Sequence, residues 1–140
     1  MRKRVAVLIL LAAAAAFALG MGLRHGGPMR GRHMMAPPPP SAGENPLPGS
    51  ERVLAQGAKA YLANCAVCHG DKGLGDGPSA AGLNPRPPDL RAAAETWSDG
   101  QIAALIRFGR GAMPPFSQVL DNETLWSIAH YVRRGIVNSR

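Results

Sequence analysis

Apolar residues follow two kinds of pattern along this chain. The first is unbroken: behind Arg2, Lys3 and Arg4, no charged residue occurs from Val5 to Leu23. The second is periodic. After Ser50, which is placed to cap a helix with Glu51 in its first turn, Val53, Leu54, Gly57, Ala58, Tyr61 and Leu62 fall on one helical face. Ser98-Asp99-Gly100-Gln101 is a capping-box pattern, and the helix it opens carries Ile102, Leu105, Ile106 and Phe108 on its inner side until Gly109 to Pro115 end it. A last helix starts after Asp121, runs through Leu125, Trp126, Ile128, Ala129, Tyr131 and Val132, and is predicted to stop at Gly135. Between these, Gly70 to Pro88 is too punctuated by Gly and Pro for regular structure, and a short helical turn covers Leu90 to Glu95. No stretch alternates as a strand does, so the pattern predicts an all-α domain.

The unbroken apolar run serves export. Residues 1–23 have the basic start and apolar stretch of a secretory signal, with Ala16-Phe17-Ala18 or Ala18-Leu19-Gly20 as cleavage sites. The run is also as long as a bilayer-spanning helix of about 17 to 25 residues, so an uncleaved anchor is equally compatible. Either way the rest of the chain leaves the cytoplasm. Residues 24–49, rich in Pro and Gly without apolar periodicity, read as a flexible linker that does not pack, with a typical reach of about 25 to 30 Å. His25, Met29, His33, Met34 and Met35 admit two readings: a copper site of imidazole and thioether, or the incidental composition of a spacer. The folded domain is then 50–140.

Charge changes the picture less than its total suggests. The chain of 140 residues carries a formal +7, which would suit a nucleic-acid or membrane-surface binder. Six basic residues against Glu44 give the first fifty positions +5, whereas ten against eight give 51–140 only +2. The basic residues of the domain are dispersed rather than gathered into a stripe, which excludes nucleic acid as a partner.

The candidate chemistry sits in Asn64-Cys65-Ala66-Val67-Cys68-His69-Gly70, which contains both cysteines of the chain. A disulfide at this spacing closes a tiny loop and adds little stability. A redox-active pair of the thioredoxin kind belongs at a helix N-terminus after a strand, and here the pair follows a helix. Zinc lacks a second cysteine knuckle, and His130 is the only later histidine. Covalent haem remains: two thiols on one turn reach the two vinyl groups of a porphyrin while the next imidazole lies under the iron. Downstream, Met113 is the only methionine after residue 35, and it sits in Gly109-Arg110-Gly111-Ala112-Met113-Pro114-Pro115-Phe116. Glycines allow close backbone approach to a flat ligand and prolines stiffen the loop, which suits an axial thioether. A core methionine in an ordinary turn is the plainer alternative.

Taken in order, CAVCHG, GDGP, GAMPPF and the final LWSIAHYVRRG resemble the class I c-type cytochromes over residues 50–135. The resemblance implies a small cytochrome c fold of three to five helices around one covalently bound haem c. It implies thioether bonds at Cys65 and Cys68, axial ligation by His69 and Met113, and packing of Gly57 and Tyr61 against Ile128 and Tyr131. It further implies that a proline carbonyl, best matched by Pro78, accepts the ring N–H of His69. Trp97 is placed either to reach a haem propionate or simply to fill the core, and His130 is expected at the surface. The implied function is one-electron transfer in a bacterial periplasm between respiratory redox partners that dock transiently at the haem edge, with no small-molecule substrate and no enzymatic activity of its own. The alternative is a fixed cytochrome subunit of a membrane-bound dehydrogenase or oxidase.

Overall fold

The computed structural model describes residues 40–138. The export segment, most of the linker and the His25 to Met35 group lie outside the described residues. Five helices follow in order: α1 Glu51–Asn64, α2 Ala66–His69, α3 Leu90–Thr96, α4 Asp99–Phe108 and α5 Asn122–Asn138, with a 3-10 turn at Ala80–Gly82.

Each helix begins where the side-chain chemistry allows it. The Ser50 hydroxyl accepts the Val53 N–H, and Asp89 accepts the Arg91 N–H to start α3. At α4 the capping box is complete, with Ser98 accepting from the Gln101 N–H and the Gln101 side chain accepting from the Ser98 N–H. The Asp121 carboxylate accepts the Thr124 N–H at 2.7 Å at the start of α5. These bonds satisfy donors that no helical carbonyl reaches.

α5 is the centre of the packing, lying against α1, α3 and α4. Its contact with α1 requires the absence of a side chain at Gly57: a Cβ there would stand 2.1 Å from the Ser127 carbonyl oxygen and 2.8 Å from the Tyr131 Cβ. Beside this contact the rings of Tyr61 and Tyr131 stack at 5.4 Å and 54°. The expected crossing is therefore present, with Ser127 rather than Ile128 meeting the glycine. Ile128 is fully buried in the core among Tyr61, Trp97, Ile102, Ile106, Leu125 and Ile136.

Three expected positions are corrected. Leu62 and Phe108 are 52% and 72% exposed. On α1 the stripe that meets α5 is Val53, Gly57 and Tyr61, four residues apart, which turns Leu62 a further 100° away. On α4 the inward pair is Ile102 and Ile106, and Phe108 lies about 200° beyond Ile106. Gly135 does not end the last helix, which runs to Asn138; its missing side chain leaves room for the Tyr131 ring, whose Cδ2 would lie 2.3 Å from a Cβ.

The linker expectation is corrected at its last residues. Segment 41–49 packs on the domain: the Ala42 N–H donates to the Gly100 carbonyl at 3.0 Å, and Asn45 Nδ2 donates to Asp99 Oδ2 at 2.8 Å. His130, expected at the surface, joins them. Its ring is 13% exposed, with Nδ1 3.1 Å from Asp99 Oδ2, and Arg133 Nη1 approaches Asp99 Oδ1 at 3.5 Å. Burial pushes the Asp99 carboxyl up, but the hydrogen bonds from Asn45 and His130, aided by the charges of His130 and Arg133, outweigh it and hold the pKa below the ordinary value. A depressed carboxyl pKa stabilises the fold fully above the unfolded value of about 3.9 and loses that contribution as pH falls through the folded value. Asp99→Asn is accordingly expected to lower melting temperature at pH 6 and to narrow the gap from wild type below pH 4; parallel curves at both pH values would contradict this.

Candidate functional site

The cysteine motif is a single helical turn held on all sides by backbone. Cys65 ends α1 by donating its N–H to the Tyr61 carbonyl at 2.8 Å, and α2 follows at once. A four-residue helix leaves its last carbonyls without internal donors. The loop that follows supplies them. Gly70 donates to Ala66 at 2.8 Å, Ser79 to Val67 at 2.9 Å, Gly77 to Cys68 at 3.3 Å and Gly75 to His69 at 2.9 Å. Gly77 has to be glycine for this, since a Cβ would stand 2.4 Å from the Ala66 carbonyl oxygen and 2.6 Å from that of Val67. The Gly-Asp-Gly-Pro loop is thus the clamp that fixes the orientation of the motif turn.

A second clamp comes from α1. The buried Tyr61 hydroxyl donates to the Gly70 carbonyl at 2.7 Å, tying the residue after His69 to the helix core. Tyr61→Phe keeps the ring stack and removes this bond, so we expect a loss of about 1 kcal/mol, or a melting temperature lower by about 4–8 °C, in thermal unfolding of the haem-loaded protein. An unchanged melting temperature would show that the bond contributes nothing net.

Within the motif, Cys65 is 8% exposed and Cys68 is half-buried, and the two are not joined in a disulfide. Burial, and after it the neighbouring Cys68, pushes the Cys65 thiol up to about 12, so it stays protonated at neutral pH rather than standing ready as a redox thiolate. Among the described residues no group of three His, Cys, Asp or Glu side chains is placed to hold a metal ion. Burial lowers the His69 pKa, leaving the ring in the neutral form that offers a nitrogen lone pair. Its Nδ1 is buried without a hydrogen-bond partner. Buried polar atoms are nearly always paired, and an orphan on a motif imidazole marks a ring whose surroundings are completed by something other than protein. The residues therefore fit a haem.

The expected bond from His69 to Pro78 is not formed, since Nδ1 has no partner. The backbone on either side of Pro78 is committed elsewhere: the Gly77 and Ser79 amides donate to the carbonyls of Cys68 and Val67, and Pro78 lies exposed at the rim. Met113 is partly buried against the core cluster that contains Cys65, Trp97 and Ile106. Its loop folds back on α4, with Phe116 donating to Ile106 at 3.0 Å and Ser117 to Arg107 at 3.3 Å. At the tip, Arg110 and Met113 exchange both backbone hydrogen bonds at 3.0 Å. Gly109 and Gly111 take left-handed φ values of 70° and 59°, which the turn requires. Trp97, 6% exposed, fills the core. A surface cleft of about 490 Å³ opens between segment 41–45 and the start of α4 and is separate from the motif.

Residues 52–132, more than half of the chain, match the family described as cytochrome c oxidase, cbb3-type, subunit III. The chain belongs to this family of c-type cytochromes. Cytochrome c6 of Tetradesmus obliquus is 34% identical over 87 residues, covering 56% of this chain and 86% of its own length. The cbb3-type cytochrome c oxidase subunit FixPc of Rhizobium leguminosarum bv. viciae is 37% identical over 92 residues, 59% of this chain but only 30% of that protein. The solved reducing HAO-like protein complex of Kuenenia stuttgartiensis superimposes with a TM-score of 0.56 at 28% identity, covering 65% of this chain and 46% of that one. The domain is thus a class I c-type cytochrome, an all-α monohaem electron carrier and not an enzyme itself. Its cofactor is covalent haem c, with Cys65 and Cys68 as the motif cysteines.

Two contributors escaped sequence reasoning: the Tyr61 hydroxyl and the Gly77 approach. The signal for the second was present, since Gly75 and Gly77 flank Asp76 immediately after the motif.

Proposed function

We propose that this cytochrome carries single electrons on the outer face of a bacterial inner membrane, with His69 and Met113 as the axial ligands of its haem iron. The observation that carries the reading is a half-buried, neutral motif imidazole whose Nδ1 has no protein partner, together with the lone downstream thioether packed on the same core as Cys65. A bound haem supplies a one-electron couple between ferric and ferrous iron. The chain's residues do the rest. Cys65 and Cys68 tether the group, and the clamped α2 turn fixes His69 so that ligand geometry changes little with oxidation state. The doubly bonded loop tip presents Met113, and a thioether ligand favours the reduced form and so raises the potential. With His69 and Met113 both holding the iron, no position on it would be left open for a substrate.

The linker and N-terminal apolar run, if retained as an anchor, keep the domain near membrane donors and acceptors; if cut, the domain diffuses freely. Redox protein partners dock transiently in small interfaces. The family description and the cbb3-type relatives favour one further reading, a fixed subunit of a membrane oxidase. Purification from membranes separates them: the carrier reading predicts that most of the protein runs alone, and a constant ratio to a larger complex would assign it to that complex. One haem per chain that stays with the polypeptide in acidified organic solvent is the expected cofactor result, and extractable haem would contradict attachment at Cys65 and Cys68.

A further inference from the structure

We propose that Arg110 is the residue that positions Met113, by stacking its guanidinium on Trp97 and so holding closed the loop tip that presents the thioether. The inference rests on the reading of Met113 as an iron ligand. Arg110 and Met113 share two backbone hydrogen bonds of 3.0 Å, so neither moves without the other. The guanidinium carbon of Arg110 lies 5.7 Å from the centroid of the Trp97 ring, within the range of a cation–π contact.

Trp97 is a fixed platform. Its ring is buried, its N–H closes α3 on the Ala93 carbonyl at 2.8 Å, and its own carbonyl accepts Arg133 Nε from α5 at 3.0 Å. The loop is also held at its base, where Phe116 and Ser117 bond to the end of α4, and by the packing of Met113 on the core. The two glycines that shape the tip, Gly109 and Gly111, are also the positions at which it bends most easily. The stack therefore joins a bendable tip to a rigid core through the side chain of the residue paired with Met113.

An external ligand reaches the iron only when the thioether leaves it, so the apparent affinity for that ligand scales with the fraction of open loop. Loss of one exposed Arg–Trp stack should raise that fraction about two- to five-fold. The test is titration of the oxidised, haem-loaded protein with imidazole, following the weak red-region absorption of an iron–thioether bond. Arg110→Ala is expected to bind imidazole about two- to five-fold more tightly than wild type, with a melting temperature lower by only about 2–8 °C. Arg110→Lys, which keeps the charge but stacks less well, should fall between them. Arg52→Ala removes one charge from α1 and should titrate as wild type; equal tightening there would make the effect one of net charge and overturn the proposal. So would an Arg110→Ala curve that matches wild type while Met113→Ala binds imidazole tightly, and in that case the ligand reading stands. If Met113→Ala keeps both the absorption and the wild-type affinity, the ligand reading itself fails and the proposal with it.

Discussion

Met113→Ala is expected to abolish the red-region absorption of the oxidised protein, to let the reduced protein bind carbon monoxide, and to lower the reduction potential. The size follows from the ligand: axial groups spread haem potentials over about 0.8 V, and loss of a thioether should account for roughly 0.1–0.3 V of that. The fold should survive. Met113 is only partly buried, and its loop is held by backbone bonds at Arg110, Phe116 and Ser117 that alanine leaves in place. A partly exposed methionine truncated to alanine costs less than the about 2–5 kcal/mol of a fully buried one. Spectroscopic and redox loss with near-normal stability is therefore the expected combination, read by potentiometric titration beside thermal unfolding. An unchanged potential would refute the ligand assignment.

The second large effect concerns packing. Gly57→Ala replaces the poorest non-proline helix former with the best, a change that in an exposed helix is worth about 1 kcal/mol in favour of the variant. Here the added methyl would stand 2.1 Å from a backbone carbonyl oxygen of Ser127 and 2.7 Å from its carbon. A side chain can rotate away from such a clash; the backbone of α5 gives only if the two helices separate. Separation would unstack Tyr61 from Tyr131 and loosen the hydroxyl that holds Gly70, so the motif turn would lose a clamp as well. Overpacking of this kind costs about 1–3 kcal/mol and more when backbone must move. The net expectation is a loss of about 2 kcal/mol, seen as a melting temperature lower by about 10 °C in a domain of this size. A melting temperature equal to or above wild type would show that the α1–α5 contact is looser than described.

The two effects separate what each part of the molecule does. Gly57 acts on whether the motif turn is held, and Met113, as the proposed ligand, on what the iron becomes once it is. The Arg110–Trp97 stack lies between them, because Trp97 belongs to the helical core and Arg110 to the ligand loop.

Much of this was legible in the sequence because it rests on local chemistry. Ser50 and the Ser98–Gln101 box declare helix starts by side-chain hydrogen bonds a few residues long, and both are formed. The cysteine motif stands out because covalent haem needs rare residue types at one spacing. What was not legible depends on partners far along the chain. Leu62 and Phe108 have the right period for an inner face, but the width of that face is set by where α5 crosses. Segment 41–49 shows no periodicity because it docks through backbone groups and one asparagine, which leave no pattern. His130 is half-buried because Asp99, thirty-one residues earlier, and Asn45 arrive at the same place. Gly135 has the composition of a stop and instead accommodates a ring on the preceding turn.

The central claim is that one haem is held by an imidazole from the motif turn and a thioether from the loop at Met113, leaving no open position. Addition of carbon monoxide to the reduced wild-type protein tests it most directly. No change in the visible spectrum is expected on the time of mixing; rapid and stoichiometric carbon monoxide binding would contradict the two-ligand assignment.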